Sequence, residues 1–141
     1  MDPLALLALL DLAVLLAAAT LGAISLAKWA KHRTSGFPIT RIVTHVTLQI
    51  LSIGLWVSYV ATGTLALAWT TFVVITVGQV FGDLLMFSSH RARHPATQRA
   101  GYRAVAADVL SFRRPAPALH AIVGAIAWFL MLASCIAASV R

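Results

Sequence analysis

The stretch Ile39–Phe87, ITRIVTHVTLQILSIGLWVSYVATGTLALAWTTFVVITVGQVFGDLLMF, decides the fold. It holds two apolar runs, each at or above the ~20 residues an α-helix needs to cross a hydrocarbon layer. Between them lies only the link Ala61-Thr62-Gly63-Thr64, so the two runs are antiparallel neighbours. Within a bilayer a helix satisfies its own backbone polar groups, which makes it the form these runs take.

Working outward, two more runs of comparable length flank this hairpin. The pattern predicts helices over residues 4–28, 39–61, 65–88 and 116–140, with a connection over 90–115. The fold class is therefore all-α, an integral membrane up-down-up-down four-helix bundle, and residues 1–141 form a single transmembrane domain. Composition agrees, since 60% of the 141 residues are hydrophobic and only 11% are charged. The first run offers small residues at Ala17, Ala18 and Ala19, as a secretory signal would, but Met1, Asp2 and Pro3 supply no basic region before it. It is also longer than a signal-peptide core, so the expectation is a retained helix.

The 11 Lys+Arg exceed the 4 Asp+Glu and give a net charge of +7. Lys28, Lys31, Arg33 and Arg41 lie between the first and second spans, and Arg91, Arg93, Arg99, Arg103, Arg113 and Arg114 between the third and fourth. Only Arg141 falls elsewhere. The positive-inside rule makes that side cytoplasmic and puts both termini outside, as in a bacterial cytoplasmic membrane. Split over two juxtamembrane connections without a stacking platform, these arginines suit anionic lipid head groups better than nucleic acid. Within 90–115, Tyr102, Val105, Val109, Leu110 and Phe112 alternate loosely with Arg99, Arg103 and Asp108, as in a helix lying in the interface or an irregular loop. Trp29, Trp69 and Tyr102 fall near segment ends, where aromatic anchors are common.

Two histidines stand inside these spans. Ionisable side chains at membrane depth are costly and need partners. His45 lies four residues past Arg41 and His120 six past Arg114, so at ~1.5 Å per residue they sit at comparable depth. The second and fourth spans run in the same direction and face each other across the bundle diagonal. Both histidines can thus share one ligand, a haem iron or another metal. Imidazole is a strong haem ligand, and two of them make a six-coordinate centre suited to electron transfer. Gln49 and Gly124 each follow their histidine by four residues and share its helix face. Gly124 would leave a flat gap for a macrocycle, and Gln49 would bond a ligand or bridge to a neighbouring helix. Arg41, Arg113 or Arg114 would pair with haem propionates at the rim.

These runs, RIVTHVTLQILSIGLWVSYVATG around His45 and ALHAIVGAIAWFLMLASCIAA around His120, resemble the second and fourth core helices of cytochrome b561-type proteins. The resemblance rests on two short motifs, HxxxQ and HxxxG, over about a third of the chain. It implies a membrane bundle that holds b-type haem between histidines of alternate core helices and passes electrons. The family has two haems, but here the first span carries no histidine and the third none before His90. The likeness therefore implies a one-haem carrier with a quinone or a redox subunit as partner.

Other residues leave alternatives open. Asp83, near the histidine level, would accept a ligating imidazole's Nδ1 hydrogen, join His45 and His120 around a cation, or pair with an interfacial arginine. A non-redox reading is accordingly a small cation or metal transporter using His45, Asp83 and His120, or an accessory subunit packing in a larger complex or homo-oligomer. His32, His90 and His94 sit among basic loop residues and read as solvated. Cys135 is alone, which excludes a disulfide or a cysteine zinc site, and reads as a small buried residue. The sequence has no glycine-rich phosphate loop and too few carboxylates for paired acid–base hydrolysis, so any catalysis is electron transfer.

Overall fold

The computed structural model describes residues 2–31, 38–95 and 100–141; His32, Arg33 and Arg99 lie outside them. Five helices form: α1 (Pro3–Lys31), α2 (Ile39–Thr62), α3 (Leu65–Arg93), α4 (Tyr102–Leu110) and α5 (Pro115–Ser139). No strand occurs among the described residues. All but α4 are long and apolar enough to cross a membrane, which makes the chain an all-α, four-helix bundle of multi-pass character.

Local chemistry sets the helix ends. α2 stops at Gly63, whose φ of 68° suits a residue without Cβ and whose N–H donates to Tyr59 O at 2.7 Å. α3 then begins two residues later, closing the tight hairpin. α5 opens on Pro115, where a missing N–H costs no hydrogen bond.

Cross-helix contacts fix the direction of each span. Trp56 Nε1 donates to Ala8 O at 3.1 Å, Trp69 Nε1 to Ser139 Oγ at 3.0 Å, and Arg141 Nη1 to Asp2 Oδ2 at 2.6 Å. The start of α1, the end of α2, the start of α3 and the end of α5 therefore share one end of the bundle. The order is up-down-up-down. α2 packs closely on α3, and α1 on α5, whereas no Cα atoms of α2 and α5, or of α1 and α3, approach within 8 Å. Those two pairs are the diagonals.

The core gathers toward the Trp56 end, around Ala8, Leu15, Trp56, Tyr59, Ala68, Ile75, Ala127, Met131 and Cys135. Cys135 is fully buried there. Leu10, Ile50, Val73 and Phe129 project outward with about half or more of their surface open, as expected where the surrounding solvent is hydrocarbon.

At the arginine-rich end the described residues hold more helix than the sequence suggests. α3 runs past residue 88 to Arg93, because Ser88–Arg93 contains no breaker and only His94 precedes a proline, a position that disfavours helix. The connection then folds as α4, which buries Val105 and Val109, four residues apart on one face, and sets Tyr102 5.9 Å from the Phe87 ring. Phe112, at φ 56°, turns the chain into α5. His90 is consequently not a solvated loop residue. It lies buried on α3, and its Nδ1 donates to Asp108 Oδ2 at 3.0 Å. Arg93 also donates to Asp108 Oδ2 and to Ser89, while His94 Nε2 lies 3.9 Å from Asp108 Oδ1. Burial alone would raise the Asp108 pKa, but hydrogen bonds from Arg93 and His90 and the nearby Arg93 and Arg114 charges outweigh it and hold it at about 2.

Candidate functional site

His45 on α2 and His120 on α5 meet across the diagonal. Their ring centroids are 6.1 Å apart and the planes cross at 87°. Neither helix backbone approaches the other, so the two side chains alone span this gap.

Each ring is held the same way by the neighbour of its own helix. His45 Nδ1 bonds Gly78 O on α3 at 2.8 Å, and His120 Nδ1 bonds Ala18 O on α1 at 2.8 Å. A carbonyl only accepts, so Nδ1 carries a proton in each ring, and the neutral form of such a ring keeps its lone pair on Nε2. Neither Nε2 has a hydrogen-bond partner among the described residues. Four residues beyond each accepting carbonyl stands a glycine against which the ring lies. A Cβ on Gly82 would come within 3.1 Å of His45 Cε1, and one on Gly22 within 2.9 Å of His120 Cε1. The α2/α3 and α1/α5 pairs thus repeat one construction: a histidine, a backbone acceptor on the next helix, and a bare glycine one turn further on.

The sequence contained a signal for this that composition alone obscures. Ala18-x-x-x-Gly22 and Gly78-x-x-x-Gly82 are small-residue spacings that allow close helix approach. Their packing role is real, but the side chain they admit is an imidazole from the facing helix.

The residues one turn past the histidines behave differently from one another. Gln49 points at Gly78, whose added Cβ would fall 2.6 Å from its Nε2, and that Nε2 is buried with no hydrogen-bond partner. Gly124 does not leave an open gap: the amide of Gln79 on α3 lies on it and donates to Gly124 O at 3.3 Å. The bare walls beside the histidines come instead from Gly22 and Gly82.

Asp83 does not join the pair. Both Nδ1 hydrogens go to backbone carbonyls, and Asp83 makes no hydrogen bond or ion pair with a described residue. His45, Asp83 and His120 also fail to bring three donors within 4.8 Å of one another. Arg41 and Arg114 reach the end of α3, where Arg41 Nη1 donates to Ser88 Oγ at 2.9 Å and Arg114 Nη1 to Ser89 Oγ at 3.2 Å. Both guanidinium groups thus stand at the rim above the histidine level, while Arg113 is exposed. An apolar groove of about 290 Å³ opens between the end of α1 and the start of α2, lined by Leu26, Ile42, Val43 and Val46 among others and not by His45.

No protein family, curated protein or solved structure matches the chain.

Proposed function

We propose that the protein is a membrane b-type cytochrome or haem-bearing subunit, with His45 and His120 as the two axial ligands of one haem. The observation that carries this reading is the matched pair of imidazoles, each fixed through Nδ1 to a backbone carbonyl and each keeping its Nε2 lone pair uncommitted. Ligating histidines are typically held this way, because the outer hydrogen bond sets the tautomer and strengthens the donor nitrogen. The spacing also suits one metal. Bonds of about 2 Å from a metal to each nitrogen, plus about 1.1 Å from nitrogen to each ring centre, give a centroid separation near 6.2 Å, against 6.1 Å observed.

The surroundings fit a macrocycle as well as an ion. Gly22 and Gly82 admit the two imidazoles between the helices, and Arg41 and Arg114 supply cations at the rim where propionates would lie. When bound, haem supplies one-electron exchange. His45 and His120 would hold its iron, and a centre held by two imidazoles would suit electron transfer. The groove between α1 and α2 offers a lipid-soluble quinone an apolar seat near the arginine-rich end, which is the cytoplasmic one under the positive-inside rule.

The test is an absorption spectrum of protein purified from haem-replete cells, oxidised and then reduced with dithionite. A Soret band and a reducible α band, both lost in His45→Ala and in His120→Ala, are the expected result. Colourless wild-type protein overturns the reading.

A further inference from the structure

At the arginine-rich end a second group of donors converges, away from the histidine pair. His90 lies on the last turn of α3 and His94, four residues on, is the residue that ends the helix, with ring centroids 4.6 Å apart. Asp108 comes to them from α4, and one donor atom from each of the three lies within 4.8 Å of the others. It is the sole such group among the described residues. We infer that His90, His94 and Asp108 form a binding site for a divalent transition-metal ion, zinc by the character of its donors, which clamps α4 onto α3.

Two imidazoles and one carboxylate are the donor types zinc takes, and the His90 and His94 rings already lie side by side at the end of α3. Bonds of about 2.0–2.2 Å place neighbouring donors of a tetrahedral ion roughly 3.3–3.6 Å apart. His90 Nδ1 lies 3.0 Å from Asp108 Oδ2 and His94 Nε2 3.9 Å from Asp108 Oδ1, so one donor from each residue has to draw in from within 4.8 Å of the others to reach that spacing. Three protein donors leave the fourth position to water. Ligation through His90 Nδ1 moves that ring's proton to Nε2, a tautomer exchange open to neutral imidazole.

Arg93 is the competing cation, because its guanidinium occupies Asp108 Oδ2. It also donates to Ser89 and is about a third exposed, so it releases the carboxylate without losing all its contacts. Arg114 is bonded to Ser89 rather than to Asp108. The ion thus replaces one positive partner of Asp108 by a stronger one and adds both imidazoles.

Chelator-treated full-length protein in detergent, titrated with Co²⁺ and then with Zn²⁺, tests this without reference to haem. The expected result is one tetrahedral Co²⁺ spectrum per chain, displaced by Zn²⁺. His94→Ala and Asp108→Asn weaken binding about 10- to 100-fold, and Arg93→Gln tightens it severalfold by removing the competitor. His94 is substantially exposed, so its variant keeps the fold and remains decisive if Asp108→Asn misfolds. Absence of binding by wild-type protein at micromolar Co²⁺ overturns the inference. So does an ion indifferent to His94→Ala and Arg93→Gln, or one that depends on His45 and His120 instead.

Discussion

The two halves of this bundle differ in which polar groups they bury between helices. Toward the Trp56 end, hydroxyls turn back on their own helices: Ser52 donates to Leu48 O and Thr71 to Leu67 O, both at four residues' distance. The interior there is closed by large apolar and aromatic side chains, with Trp56, Ile75 and Met131 almost wholly buried. Toward the arginine-rich end, two imidazoles and an amide cross between helices, where the Trp56 end uses only terminal contacts and indole N–H groups for this. His45 reaches α3, His120 reaches α1, and Gln79 reaches α5. One half is built for density, where each methylene excluded from solvent and packed counts toward stability. The other places donors and lone pairs at defined points, at some cost in packing, which is what a binding level requires.

That contrast predicts the largest stability loss far from the histidines. Trp56→Ala removes a fully buried ring and its bond to Ala8 O, and unfolding in detergent should show a loss of about 3–5 kcal/mol. A loss no greater than that of His45→Ala would erase the distinction between the halves.

Next in size are the glycines. Gly22→Leu drives a side chain into the His120 ring and should cost about 1–3 kcal/mol as overpacking, together with loss of the haem spectrum we propose. Gly54→Ala, with nothing within 4 Å of the new Cβ, should alter neither. Equal effects from the two would mean that Gly22 is not a wall of the histidine site.

Asp11 sharpens the comparison from the other side. It sits fully buried in the dense half, and neither carboxyl oxygen has a hydrogen-bond partner. Asp11→Thr has nearly the same volume and bonds its hydroxyl to the preceding turn, as Thr71 does. Thermal unfolding should then show a gain of about 1 kcal/mol, the scale of relieving a buried unsatisfied group. A loss instead would reveal that the carboxyl is used.

The smallest effect is confined to α4. Asp108 has a pKa near 2 in the folded protein, against an ordinary 3.8. Its contribution is therefore complete above pH 3.8 and lost as pH falls from there toward 2. In chelator-treated protein, hydrogen exchange of α4 should rise over that window while α2 and α3 stay protected. Asp108→Asn should abolish the pH dependence of the exchange.

Much of this was legible in the chain. The four spans, their short α2–α3 link and the comparable depth of His45 and His120 follow from apolar run length and from position relative to the arginines. The partners of those histidines were not, because Gly22, Gly78 and Gly82 look like any small membrane-helix residues until the facing helix is in place. Gly124 illustrates the error this produces: its spacing from His120 suggested a gap, but Gln79, from another helix, covers it. The reach of α3 to Arg93 and the burial of His90 were likewise hidden, since a run of serines, arginines and histidines has no apolar period to mark it as helix.

Sequence by itself determined that this chain is a bundle of four apolar helices, because hydropathy and the need to satisfy backbone groups in hydrocarbon act locally along each run. Only the tertiary structure decided which carbonyls fix the two imidazoles, which glycines admit them, and that Asp108 joins His90 and His94. Those contacts depend on the rotation of each helix about its own axis, which is set by side chains many residues away.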